Sequence, residues 1–138
     1  MTAKSQKWAY SNIVKDHFFN PKNLLQDKEK FISNGQGEVG SSICGDVMKI
    51  WIKVKNNKII ACRWKTFGCA SAVASTSMLS VMITEKGGMS LEKARKITPR
   101  DIVKRLKGLP KNKIHCSVLS DQALRKAIDN YLEKKSQN

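Results

Sequence analysis

From Val47 to Phe67 the sequence alternates with a period of two on either side of Asn56-Asn57, and that pattern leaves few folds open. Met48, Ile50, Ile52 and Val54 share one face of the first half, opposite Lys49, Lys53 and the exposed side of Trp51, which predicts a half-buried strand. Asn56-Asn57 tolerates the positive backbone angles of a tight hairpin, and Lys58 to Phe67 returns with Ile60, Cys62 and Trp64 on one face. Upstream, Lys22 to Gly40 is so rich in Asn, Lys, Asp and Gly that it reads as a loop leading into a first strand around Glu38 to Ile43. Together these segments predict a small antiparallel meander.

Helical spacing flanks the meander. Trp8 to Phe19 places Ile13, Val14, His17 and Phe18 at helix-like intervals before Asn20-Pro21 stops the run, and His17 on the apolar side reads as a packing residue. After Gly68, the positions Ala72, Ser75 or Thr76, Leu79, Met82 and Ile83 recur helically until Gly87-Gly88, which puts Cys69 at a helix N-terminus. A short helix is expected over Ser90 to Lys96. Thr98-Pro99-Arg100-Asp101 supplies an N-cap, a first-turn proline and an acidic third position for another, carrying Ile102, Val103 and Leu106. Leu119, Ala123, Leu124, Ala127, Ile128, Tyr131 and Leu132 stripe a last helix, with His115 and Cys116 at or just before its start. With no internal repeat or low-complexity tract, residues 1–138 read as one domain of the α+β class, a three-stranded antiparallel sheet packed against several helices on one face. A chain of 138 residues can bury roughly two thirds of its unfolded surface, so no metal is required for folding.

The formal charge of +15, from 26 Lys and Arg against 11 Asp and Glu, invites a nucleic-acid reading. The positive residues are mostly lysines spread over the whole chain, without an Arg-rich run or an aromatic-interleaved basic stripe. A solvated surface that attracts acidic protein partners is the better expectation, with no specific nucleic acid. The longest apolar tract, Ala70 to Ile83, is broken by Ser71, Ser75, Thr76, Ser77 and Ser80 and falls short of the roughly 20 apolar residues of a membrane span. No apolar stretch near the start resembles a signal peptide, so the expected setting is the reducing cytoplasm, with the cysteines as thiols rather than disulfides.

Three of the four cysteines have surroundings that suit a metal ligand. Cys44 precedes Gly45, which lets backbone approach a ligand closely, and Asp46, whose carboxylate lies near the same place. Cys69 follows Gly68 in a strand-to-helix turn, where helix N–H groups favour a thiolate. Cys116 follows His115, and beside a cysteine at a helix start an otherwise ordinary histidine gains weight as a ligand. Cys62 shares a buried row with Trp64 and reads as core, as do Met48, Met78, Met82 and Met89. There is no Cys-x-x-Cys pair, so any common site must be assembled by tertiary structure.

The blocks Cys44-Gly45-Asp46-Val47-Met48-Lys49, Lys65-Thr66-Phe67-Gly68-Cys69-Ala70-Ser71-Ala72 and Lys113-Ile114-His115-Cys116-Ser117-Val118-Leu119 resemble, in order and spacing, the three signatures of the iron-sulfur cluster assembly scaffold family, the IscU type related to the N-terminal domain of NifU. The resemblance runs from about Tyr10 to Tyr131 and includes His17-Phe18-Phe19-Asn20-Pro21-Lys22-Asn23. It implies a carrier rather than an enzyme: sulfur arrives as a persulfide from a pyridoxal-phosphate cysteine desulfurase and joins iron and electrons. A transient [2Fe-2S] cluster is then passed to apo acceptor proteins, with a frataxin-like iron donor and a ferredoxin as further partners. By position, Cys44, Cys69 and Cys116 are the implied thiolate ligands, Asp46 or His115 the fourth, and Cys116 the preferred sulfur acceptor. Lys65 is either a stabilising partner of Asp46 or a nearby thiolate, or an ordinary exposed strand lysine. The same ligand set suits Zn2+ in isolated protein.

One departure stands out. The family loop before the third cysteine commonly reads Leu-Pro-Pro-Val-Lys and is grasped by a DnaK-type heat-shock chaperone, whereas this chain has Leu109-Pro110-Lys111-Asn112-Lys113. A groove that favours extended apolar peptide loses two contacts there, which argues against chaperone-assisted handover. Related zinc-dependent sulfur acceptors of the SufU type usually carry an insertion ahead of the third block and lack its histidine. This chain keeps His115 without an obvious insertion, which favours the cluster scaffold over that alternative.

Overall fold

The structure, a computed structural model, describes residues 10–40, 47–109 and 114–137, with backbone alone at 114–118 and 137. Cys44, Gly45, Asp46 and the Pro110 to Lys113 stretch lie outside these residues. In chain order the elements are α1 (Asn12–Phe19), β1 (Gly35–Gly40), β2 (Val47–Lys55), β3 (Lys58–Phe67), α2 (Ala70–Thr84), a 3-10 turn (Glu85–Gly87), β4 (Met89–Ser90), α3 (Leu91–Arg95), α4 (Pro99–Arg105) and α5 (Ile114–Gln137).

The hairpin forms as its pattern predicts: Asn56 and Asn57 take φ of 52° and 63°, and Met48, Ile50, Ile52 and Val54 are buried. Each fully buried aliphatic side chain contributes about 1.5–3 kcal/mol. On the return strand the expectation for Ile60 fails. The register slips between Lys53 and Val54, so Val54 pairs with Ile59 and Lys53 with Ala61. This β-bulge turns Ile60 outward, 41% exposed, and Ile59 takes its place in the core.

Among the described residues the sheet has four antiparallel strands in the order β1-β2-β3-β4, one more than the sequence suggested. The added strand pairs Met89 and Ser90 with Ile59 and Lys58, and two residues are too few to show a period. β1 also begins earlier than expected. Gly35 and Gly37 face the core, and a β-carbon on Gly37 would lie 2.3 Å from the Ala123 carbonyl oxygen and 2.5 Å from the Ala127 nitrogen. The glycines that made this stretch read as loop are what let the α5 backbone rest directly on the sheet. At the same sheet edge, Asn130 Oδ1 of α5 accepts a hydrogen bond from the Gln36 N–H at 3.1 Å.

α2 runs through the middle of the molecule with 11 of its 15 residues buried, which is why its serines broke the apolar pattern without breaking the helix. Their hydroxyls turn back on the helix: Thr76 Oγ1 donates to the Ala72 carbonyl at 2.7 Å and Ser80 Oγ to that of Ser77 at 2.6 Å. Ser77 Oγ also accepts from the Lys22 N–H at 2.8 Å and shares a 2.7 Å hydrogen bond with His17 Nδ1. His17 is thus the packing residue its position suggested, and burial, reinforced by the charge of Lys22, lowers its pKa from the ordinary 6.5. The Lys22 carbonyl in turn accepts from Trp64 Nε1 at 2.7 Å, tying the irregular segment after α1 across α2 and β3.

α1 is capped by Ser11, whose hydroxyl accepts from the Val14 N–H and donates to the Leu106 carbonyl. α4 starts with the predicted capping box of Thr98 and Asp101. In α5, Ala123, Leu124, Ala127 and Ile128 are buried as the stripe predicts, whereas Leu132 is 41% exposed. The helix outlasts the core it covers.

Candidate functional site at one end of the sheet

Cys69 caps the N-terminus of α2 in an extended conformation (φ −78°, ψ 174°) and is half-buried. Its side chain makes no capping hydrogen bond. A thiolate here faces the positive end of a 15-residue helix, worth about 0.3–1 kcal/mol to the charge. Gly68, exposed and in a bend, supplies the turn between β3 and α2.

Cys62 is the opposite kind of cysteine. It is 1% exposed within the sheet's core face, its thiol donates only a long 3.7 Å contact to the Arg63 carbonyl, and burial pushes its pKa up to about 12. Iodoacetamide at mildly alkaline pH is therefore expected to alkylate Cys69 and spare Cys62 in the folded protein, as read by peptide mass mapping. Equal labelling of the two would contradict this burial.

The strand register brings chain ends together. Gly40 pairs with Val47 and Val47 with Phe67, so the strand residues bordering the 41–46 connection lie beside the strand end that leads into Cys69. α5 runs antiparallel to β1, since Gly35 lies against Ala127 and Gly37 against Ala123, and its N-terminal residues extend past that same sheet end. His115 and Cys116 fall in its first turn.

A buried polar knot pins this arrangement. Ser120 Oγ lies 3.0 Å from Thr76 Oγ1 and donates to Met48 Sδ at 3.4 Å, and all three residues are at most 1% exposed. Met48 stands four residues after Cys44, Thr76 seven after Cys69 and Ser120 four after Cys116. One point of contact therefore indexes three distant cysteine-bearing segments. Beside it, Asp121 is 2% exposed and accepts from Arg125 at 2.5 Å, while Arg125 also donates to the Ile97 carbonyl at 3.2 Å. Burial raises the Asp121 pKa against the opposing pull of Arg125. Sequence reasoning passed over both Ser120 and Asp121. The signal for the pair was an Asp and an Arg four apart on one helix face, too common a spacing to single out.

Lys65 pairs with Asp27 at 3.3 Å on the surface, its side chain 42% exposed. Among the described residues no three His, Cys, Asp or Glu side chains form a metal-sized group. Of the sequence-derived ligands, the structure gives a side-chain position for Cys69 alone; it gives backbone for His115 and Cys116, and Cys44 and Asp46 lie outside it. No helix among the described residues is long and apolar enough to cross a membrane.

The NifU-like N terminal domain family matches residues 9–138. The iron-sulfur cluster assembly scaffold protein IscU 1 of Archaeoglobus fulgidus is 46% identical over 125 residues, covering 91% of this chain and 78% of that protein. The iron-sulfur cluster assembly scaffold protein IscU of Buchnera aphidicola from Acyrthosiphon pisum is 44% identical over 129 residues, covering 92% and 98%. The N-terminal NifU-like protein of Brucella abortus shares the fold at a TM-score of 0.67 and 17% identity, covering 90% of this chain and 94% of that one. With the sheet end, the helix N-terminus and the terminal helix arranged as above, the chain belongs to the iron-sulfur cluster assembly scaffold family of the IscU and NifU N-terminal type.

Proposed function

We propose that this scaffold builds a [2Fe-2S] cluster as cargo on Cys44, Cys69 and Cys116, with Asp46 or His115 as the fourth ligand. The observation that supports the reading is the contact of Ser120 with Thr76 and Met48, residues that follow Cys116, Cys69 and Cys44 by four, seven and four positions. Three thiolates grip iron firmly, while a harder oxygen or nitrogen fourth ligand keeps the site labile enough to release what it holds.

Sulfur enters at Cys116. Its thiolate attacks the outer sulfur of a persulfide on a cysteine desulfurase; the new S–S bond forms as the old one breaks, and the enzyme's cysteine departs as thiolate. Two such sulfane sulfurs take up four electrons to become two sulfides. Oxidation of two ferrous ions supplies two electrons, and a one-electron donor of the ferredoxin class, acting twice, supplies the rest. Iron arrives from a frataxin-like donor or from solution, and apo iron-sulfur proteins receive the product. Gly45 and Gly68, lacking a β-carbon, add no side-chain bulk next to Cys44 and Cys69 in the sequence. Lys65, engaged with Asp27, is available to the site only if that exposed pair opens. Zn2+ fits the same donors as a resting occupant. The cytoplasm, where thiols stay reduced, is the compartment this chemistry suits.

Anaerobic reconstitution with iron, cysteine and a desulfurase tests the ligands. The visible absorption of a [2Fe-2S] centre is expected in the parent and in Cys62→Ala and is expected to vanish in Cys44→Ala, Cys69→Ala and Cys116→Ala. A Cys69→Ala protein that retained the spectrum would sink the assignment. A parent that took up zinc and persulfide sulfur but never developed the spectrum would instead favour a sulfur acceptor of the SufU type.

A further inference from the structure

The C-terminal end of α2, opposite Cys69, carries a second feature. A groove of about 850 Å3 opens between α1, the last turn of α2 and the α3–α4 region, floored by Ile13, Met82, Met89 and Ile97. Met82 lies thirteen residues along α2 from Cys69, about 20 Å away at 1.5 Å per residue. Around this floor stand Lys93, Lys96, Lys104, Arg105 and Lys107. A recess of about 320 Å3 shares Met82, Met89 and Lys93 and adds Lys58 and Lys86 to the rim.

The carboxylates at this rim are already engaged. Glu85 is held by both Arg105 guanidinium nitrogens at 2.9 and 3.0 Å, which keeps its pKa below the usual carboxylate range. Asp101 is committed to the capping box with Thr98. Among the described residues no carboxylate pairs with Lys93, Lys96, Lys104 or Lys107. With Glu85 paired to Arg105, Lys93, Lys96, Lys104 and Lys107 stand against Asp101 alone in the lining, so positive charge predominates around an apolar strip.

We infer that this groove docks an acidic amphipathic segment of a partner protein, its apolar side chains on Met82, Met89, Ile13 and Ile97 and its carboxylates on the lysine rim. Methionine floors adapt to irregular side chains, as a peptide surface requires. Among the described residues no aromatic ring lines the groove, so unpaired bases find nothing there to stack on. Among the described residues it is a partly open groove rather than an enclosed cavity, which suits a peptide laid in it better than an acyl chain needing enclosure. Among the described residues no cysteine lines the groove, and the inference stands whether or not the cluster assignment holds.

The test is fluorescence anisotropy with a labelled synthetic peptide of about four helical turns, Leu at i, i+3, i+4 and i+7 and Glu elsewhere. Saturable binding weakened by salt is expected. The double variant Lys93→Glu, Lys104→Glu and the single variant Met89→Gln are each expected to weaken it by about tenfold or more, equivalent to about 1.4 kcal/mol. Lys53→Glu, Lys55→Glu at the hairpin serves as the charge-matched control and is expected to leave binding unchanged. Circular dichroism melts verify that each variant folds, and the double variant is expected to reconstitute its cluster normally. Equal affinity for a scrambled peptide of the same composition, or equal loss in the hairpin control, would reduce the groove to general electrostatic attraction. Tighter binding of oleate or of single-stranded DNA through the same lysines would overturn the choice of occupant.

Discussion

Gly37→Ala is expected to destabilise the protein by about 3 kcal/mol, the upper end of what overpacking usually costs, and to lower its melting temperature by roughly 10 °C. The added β-carbon would sit 2.3 Å from the Ala123 carbonyl oxygen, 2.5 Å from the Ala127 nitrogen and 2.8 Å from Lys126 Cβ. The two shortest contacts are helix backbone, which cannot rotate aside as a side chain would. Either α5 lifts from β1 along its length or the strand buckles. Gly35 closes the escape by sliding, since a β-carbon there would meet the Ala127 carbonyl oxygen at 2.7 Å. Thermal melts beside Gln36→Ala, an exposed neighbour, measure the effect. A Gly37→Ala melt matching that control would show that the helix does not ride this close. Because α5 begins with His115 and Cys116, a folded remnant of the variant is also expected to reconstitute poorly.

Asp46→Ala is expected to slow transfer of the reconstituted cluster to an apo-ferredoxin by about tenfold or more, a barrier increase of at least about 1.4 kcal/mol. On the proposed assignment the carboxylate would be a hard ligand among soft thiolates, so its bond to iron would be the one an incoming acceptor thiolate displaces first. Without it, the position would fall on that assignment to His115, whose imidazole nitrogen would hold iron more firmly than the carboxylate oxygen. The product then forms but leaves slowly. The double variant Asp46→Ala, His115→Ala should recover fast release along with a less stable centre, and visible circular dichroism of donor and acceptor follows both. Faster handover from the single variant would refute the role of Asp46.

What the sequence could reveal depended on whether a pattern was local. The β2–β3 hairpin was legible because period-two alternation and two left-handed asparagines are written within twenty residues, and the capping box of α4 because it spans four. The bulge was not legible. It reassigns Ile59 and Ile60 through the pairing of the neighbouring strand, and either isoleucine alone fits a buried site. β1 was masked by the glycines its packing demands, and the serines of α2 suggested polarity where helix carbonyls take up the hydroxyls of Ser75, Thr76 and Ser80 and His17 engages that of Ser77. The cysteine blocks identified the candidate ligands individually. What lay beyond sequence was the contact among Met48, Thr76 and Ser120, whose members are separated by 28 and 44 positions.

β1 forms the outer border of the sheet, where unpaired main-chain groups offer a template to any other extended chain. Asn130 reaches over that border to occupy the Gln36 N–H, and six residues with three glycines make a poor surface for stacking. Copies of this protein approaching rim to rim would also have to overcome mutual repulsion from a net charge of +15. The arrangement works against self-templated fibril growth.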